Sequence, residues 1–124
     1  VTGVQTCALP ILDKLKEINN EAHIILTKGE NGASWYTPTN KIFNQENYKV
    51  KVVDTVGSGD TFSGSLLAYL SKNGVFGEDG ESPKFRINDE VIEKALKYAC
   101  FSASLNCTKQ GCNPPTYKEV EEIL

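Results

Sequence analysis

The chain has no methionine, a single histidine, a single tryptophan and no cluster of lysine and arginine anywhere in its 124 residues. Without an initiator methionine it is expected to be a fragment of a longer protein. A net charge of -3 with no basic face excludes the electrostatic footprint that nucleic acid or an anionic bilayer surface requires, so neither is expected as a partner. Wholly apolar runs stop at a few residues, as in Ile24-Ile25-Leu26, whereas a bilayer-spanning helix needs about 20. What is present is 40% hydrophobic and 23% charged, the composition of one globular domain.

Residues Val1 to Ile11 carry no charge and coincide without a mismatch with the translation of a common sequencing-library adapter. They are therefore expected to be a scar and are set apart from the fold, which leaves Leu12 to Leu124. Beyond Cys7 the thiols are Cys100, Cys107 and Cys112. Their spacing fits neither C-x-x-C nor a zinc site, and their odd number suits a reducing compartment, so structural thiols in a cytoplasmic protein are expected. Asn106-Cys107-Thr108 matches the glycosylation sequon by coincidence, and lone His23 reads as a packing residue.

Leu12, Leu15, Ile18 and Ala22 recur at helical spacing and predict an amphipathic helix ending near Asn19-Asn20, with that stripe in the core. His23 to Thr27 reads as a buried parallel strand. Lys28-Gly29-Glu30-Asn31-Gly32 is a turn into Ala33 to Thr37, and Pro38-Thr39-Asn40 a second turn toward Ile42-Phe43, so short antiparallel strands are expected there. Tyr48 to Val53 alternates and then becomes apolar, as a strand with one end in the core would. Phe62, Leu66, Leu67, Tyr69 and Leu70 trace a helix closed by Lys72-Asn73-Gly74. Val75 to Lys84 reads as an exposed loop, without the ligand alternation of a calcium loop. Asn88 or Asp89 caps a helix burying Val91, Ile92, Ala95, Leu96, Ala99, Ser102 and Ala103, and ending by Gly111. Thr116-Tyr117-Lys118-Glu119 is a capping box that opens a last helix.

The chemistry concentrates in Gly57-Ser58-Gly59-Asp60, between a strand and a helix. A helix start offers unpaired N–H groups and the positive end of the helix dipole, and glycines let an anion approach them. A carboxylate in such a turn repels an anion unless it has work to do, and taking a proton from an attacking hydroxyl is such work. Asp60 would then deprotonate an acceptor while the N–H groups of Gly57, Ser58, Gly59 and Asp60 stabilise a transferring phosphoryl group. A purely structural turn explains the motif alone about as well.

Val53-Asp54-Thr55-Val56-Gly57-Ser58-Gly59-Asp60-Thr61-Phe62 closely resembles the C-terminal signature of the ribokinase, or PfkB, family of carbohydrate kinases. Leu26 to Gly32 resembles that family's nucleotide-binding strand-turn, and Lys109 to Thr116 its C-terminal loop. The resemblance covers Leu12 to Leu124. It implies the C-terminal, nucleotide-binding portion of a ribokinase-like three-layer α/β/α sandwich, using ATP and Mg²⁺, with the proton acceptor at Asp60 and the anion hole at Gly57 to Asp60. It further implies ATP contacts at Thr27, Gly29, Gly32, Gly59 and Cys100, the last standing where many relatives carry Asn or His. A monovalent-cation site, for K⁺, would fall on Asp54, Val56, Asn106, Lys109 and Gly111, mainly through main-chain oxygens. Asp54 serves equally well as a cap of the turn.

The signature and Tyr98-Ala99-Cys100 look most like bacterial fructokinases, so fructose is the expected acceptor and a homodimer the candidate assembly of the parent enzyme. Most of the family's sugar site and its acidic Mg²⁺ motif lie upstream of such a segment, so the segment alone is expected to be inactive. The rival readings are a non-catalytic nucleotide-binding relative and a kinase of the same fold acting on a nucleoside or another acceptor.

Overall fold

A computed structural model of the chain describes residues 2–77 and 85–124, with side chains from Pro10 onward. Helix α1 (Thr2–Ile18) leads to strand β1 (Ile24–Thr27), a 3₁₀ turn (Gly29–Asn31), β2 (Ala33–Tyr36) and β3 (Ile42–Gln45). Helices α2 (Ser58–Lys72), α3 (Asp89–Asn106) and α4 (Tyr117–Glu121) follow.

The strands form one antiparallel sheet in the order β1-β2-β3, with Ile25 opposite Trp35 and Trp35 opposite Phe43. Expectation and structure differ at β1, which is half-buried and antiparallel rather than buried and parallel. The cause is local. The N–H of Lys28 donates to the Gly32 carbonyl (2.8 Å), so the turn folds the chain straight back. Gly32 has φ 81°, and a Cβ there would sit 1.9 Å from the Gln45 carbonyl oxygen, so only glycine passes. The second hairpin closes through Thr37 N–H to Lys41 O (2.9 Å).

Central β2 has neighbours on both edges and is buried throughout. Its Ala33 and Trp35 meet Phe62, Leu66 and Leu70 of α2 and Ile92, Ala95, Leu96 and Ala99 of α3 in a single core that also takes in Val120 of α4. Asn88 caps α3 by accepting from Val91 N–H (2.9 Å), and the Thr116–Glu119 capping box starts α4, both as expected. The α3 helix ends at Asn106, ahead of Gly111. His23 packs in the sheet layer, where its Nδ1 accepts from Trp35 Nε1 (3.1 Å) and burial lowers its pKa.

Other expectations fail for lack of a neighbour. Helix α1 runs from Thr2 to Ile18 with Pro10 inside it, and of the expected core stripe only Leu12 is buried, with Leu15 and Ile18 exposed. Tyr48 to Val53 forms no strand, because a ladder requires a partner strand, and Val52 and Val53 lie exposed. The N–H groups of Val53 and Asp54 donate instead to the Cys107 carbonyl. Leu67 is exposed on α2, whereas Val75, expected in a loop, is buried. Phe76 of that expected loop is exposed, and residues 78–84 lie outside the described residues.

Candidate functional site

Gly57 is the N-cap of α2 and holds φ 78°, the left-handed conformation in which a side chain is strained. Its carbonyl accepts from Thr61 N–H (2.9 Å) and so starts the helix. The turn expectation gave all four N–H groups of Gly57 to Asp60 to an anion. Ser58 N–H instead turns back to the Thr55 carbonyl (3.2 Å), while those of Gly57, Gly59 and Asp60 have no acceptor among the described residues. The two glycines also divide their roles. A Cβ at Gly57 would meet Cys112 Sγ at 2.4 Å, whereas a Cβ at Gly59 would meet nothing of the chain within 4 Å. Gly57 is required by packing, and Gly59 leaves space open.

Asp60 occupies the first turn of α2 with its carboxylate exposed. Beside it opens a cleft of about 1010 Å³, at the upper end of the range for small-molecule sites. Thr27, Gly29 and Gly32 line one side, and Thr55, Ser58 and Gly59 the other. Two blocks distant in sequence thus face one space. Asp60 itself lies just outside the lining.

Cys100 is not in the lining. It is 1% exposed, its Sγ lies 3.9 Å from the Gln45 carbonyl, and burial pushes its thiol up to about 12. The same helix reaches the cleft later, through Ala103, Ser104 and Cys107. Their spacing from Cys100, three, four and seven residues on, is the helical signal that points to them. Asn47 and Tyr48 also line the cleft, and Asn47 Nδ2 donates to the Gly29 carbonyl (2.8 Å), holding that segment over the glycine turn. Lys28 and Lys49 contribute ammonium groups and Glu30 and Glu46 carboxylates, so the rim carries both signs. Lys28 and Glu30 belong to the turn already singled out, whereas no local pattern announced Glu46, Asn47, Tyr48 and Lys49 as part of the site, since only folding brings them there.

Asp54, Val56, Asn106, Lys109 and Gly111 do come together. Asp54 Oδ1 accepts from Val56 N–H (3.0 Å) and Oδ2 from Gly111 N–H (2.9 Å). These bonds, Val56 first and then Gly111, hold the Asp54 carboxyl below the usual carboxylate range. Asn106, 0% exposed, donates from Nδ2 to the Val56 carbonyl (2.8 Å) and accepts at Oδ1 from Asn113 N–H (3.0 Å). With its amide so engaged, the sequon at Asn106 is no glycosylation acceptor in the folded chain. The Asn106 carbonyl accepts from Lys109 N–H (3.3 Å), and Lys109 Nζ pairs with Glu119 (3.5 Å). Both Asp54 carboxylate oxygens and the Val56 and Asn106 carbonyls already accept protein hydrogen bonds, whereas the Asp54, Lys109 and Gly111 carbonyls accept none among the described residues. Among the described residues no three His, Cys, Asp or Glu side chains gather as a metal site.

Comparison with known proteins decides what this arrangement belongs to. The sequence profile of the pfkB family carbohydrate kinases matches residues 5–119. The chain belongs to the PfkB family of carbohydrate kinases. Fructokinase-2 of Oryza sativa subsp. japonica is 31% identical over 103 residues, which are 82% of this chain and 28% of the rice protein. The 5-dehydro-2-deoxygluconokinase of Bacillus licheniformis is also 31% identical, over 82% of this chain and 27% of its own length. The chain therefore spans under a third of these PfkB relatives. The Vibrio cholerae fructokinase structure with fructose, ADP and calcium ion superposes with a TM-score of 0.66 at 29% identity, over 82% of this chain and 30% of that one. Giardia lamblia ribokinase reaches a TM-score of 0.80 at 20% identity over 95% of this chain and 36% of its own, a likeness of fold. The fold is thus ribokinase-like α/β, represented here by a three-stranded sheet and its helices.

Proposed function

We propose that this chain is the nucleotide-binding, base-bearing part of an enzyme that transfers the γ-phosphoryl group of ATP to a sugar hydroxyl, with fructose as the acceptor. The observation that carries the reading is the shared cleft, in which the Thr27–Gly32 block faces Ser58 and Gly59 beside the Asp60 carboxylate. Asp60 takes the proton of the acceptor hydroxyl, whose oxygen bonds to the γ-phosphorus as the bond from phosphorus to the β,γ-bridging oxygen breaks. ADP leaves, and the proton passes from Asp60 to solvent. The N–H groups of Gly57, Gly59 and Asp60 oppose the charge that builds on the phosphoryl oxygens. Magnesium, when bound with ATP, neutralises phosphate charge; no residue of this chain is assigned to it.

Fructose is supported by the fructokinase relatives, and the same relatives support a whole enzyme longer than this chain. The isolated chain is expected to release no ADP in response to sugar. In the whole enzyme Asp60→Asn should lower kcat by two to four orders of magnitude, roughly the value of general-base catalysis, with little change in ATP affinity. Unchanged kcat with fructose would remove Asp60 from the reaction. We further propose that Val1 to Ile11 derives from a sequencing adapter; genomic sequence encoding the same residues upstream of Leu12 would overturn that.

A further inference from the structure

We infer that Asn47 reads the base of the nucleotide, selecting adenine over guanine because the glycine turn locks its carboxamide in one orientation. The inference rests on the kinase reading, which gives the phosphates to one wall of the cleft and leaves the other for the base.

The N–H groups assigned to the phosphates belong to the start of α2, on one wall, and the Thr27–Gly32 turn forms the other. Asn47 lies on that second wall, where its Nδ2 donates to the Gly29 carbonyl (2.8 Å). The same carbonyl accepts from Gly32 N–H (3.2 Å), so both of its lone pairs are in use. A carbonyl can only accept, so the amino end of the Asn47 amide must face it. Turned over, the amide would bring oxygen against oxygen. Asn47 is left with one N–H and Oδ1, and neither has a partner among the described residues.

The neighbouring residue holds this segment from the other side: the Tyr48 ring packs on Phe101 of α3, with centroids 5.1 Å apart. The other amides of the lining are less suited to the task. Gln45 Nε2 donates to the Glu46 carbonyl and Asn44 Oδ1 accepts from Ser34 Oγ, while exposed Asn31 has no bond that orients its side chain among the described residues. Asn47 therefore offers the cleft a fixed acceptor beside a fixed donor. Adenine is its complement, presenting the N6 amino group beside a ring nitrogen that accepts. Guanine presents O6 where adenine has N6–H, and its N1 carries a proton. It would fit only the turned-over amide, which the Gly29 carbonyl excludes. Selectivity thus resides in the bond from Asn47 to Gly29 as much as in Asn47 itself.

The test measures kcat/KM of the whole enzyme for ATP and for GTP at saturating fructose, with equilibrium binding of ADP and GDP and the melting temperature of each variant. Wild type should prefer ATP by about tenfold or more, the discrimination that one two-point amide contact gives. Asn47→Ala should raise KM for ATP about tenfold with kcat within about twofold, and cut the preference to about threefold or less. Asn47→Asp replaces the donor by a second acceptor, which suits guanine N1–H and its N2 amino group, so its preference for ATP should fall below that of Asn47→Ala. A merely structural role would lower the melting temperature and reduce kcat/KM for both nucleotides alike. Equal losses with ATP and GTP would overturn the assignment, as would a wild type without preference or variants that keep it. If wild type phosphorylates no sugar with either nucleotide, the kinase reading fails, and the ratio of ADP to GDP affinity still decides the role of Asn47. Equal affinity, or no binding of either, would overturn it too.

Discussion

Replacing Gly57 by alanine tests the turn most directly, because two separable costs can be worked from its geometry. At φ 78° a side chain costs about 1–2 kcal/mol from left-handed backbone strain. The new Cβ would also stand 2.4 Å from Cys112 Sγ and 2.9 Å from Cys112 Cβ, an overlap that costs about 1–3 kcal/mol when packed atoms must give way. The sum, about 2–5 kcal/mol, is a large share of the roughly 5–15 kcal/mol that holds an ordinary domain together. Urea unfolding followed by the fluorescence of buried Trp35 reads it. The decisive arm is the double variant with Cys112→Ala. It removes the 2.4 Å contact but leaves the 2.9 Å one and the strain, so about 1 kcal/mol or more should return as coupling between the sites. A Gly57→Ala cost under about 0.5 kcal/mol, the range of ordinary surface changes, or strict additivity with Cys112→Ala, would refute the packing argument.

Gly59→Ala should behave in the opposite way: its Cβ meets nothing in the chain, so stability should hold or rise by up to about 1 kcal/mol from better helix propensity. Activity should nevertheless fall, because the Cβ enters the cleft; full activity would show that no ligand approaches Gly59. With its thiol pushed up to about 12 and buried, Cys100 should resist a thiol reagent at neutral pH in the native protein, while exposed Cys112 reacts. Mass spectrometry of the labelled peptides decides this, and equal labelling of the two would contradict the burial. Asp54 has a folded pKa below its unfolded one, so its contribution to stability is present above the unfolded value of 3.8 and is lost as the pH falls through the lower folded value. Asp54→Asn should flatten the acid limb of a stability-against-pH curve; an unchanged limb would show that its two backbone bonds contribute nothing.

Local signals carried much of this structure. The capping box at Thr116, the cap at Asn88, the Phe62-Leu66-Leu70 stripe and the hairpin turn at Gly32 are each set by residues within a few positions of one another. Sequence alone reaches such features, since helix starts and tight turns are decided by neighbouring backbone and short side chains. The glycine turn before Asp60 was legible for the same reason.

Features that depend on what lies across space were not legible. Whether β1 pairs parallel or antiparallel depends on its neighbour, and whether Val52 is buried depends on what covers it. Ser58 N–H is spent within the turn, Gly57 is a packing requirement and Gly59 an open space, and spacing could not tell these roles apart. The resemblance placed Asn106 in a cation site and Cys112 and Asn113 in a C-terminal loop, but nothing in the sequence tied any of them to the glycine turn by a side-chain contact. Only the fold returns that loop beneath Val56 and Gly57, because hydrogen bonds act over about 3 Å, a distance set by chain path rather than chain order. The sequence alone thus determined which turn carries an anion-binding helix start and a carboxylate. The tertiary structure decided what holds that turn in place and which of its groups remain free.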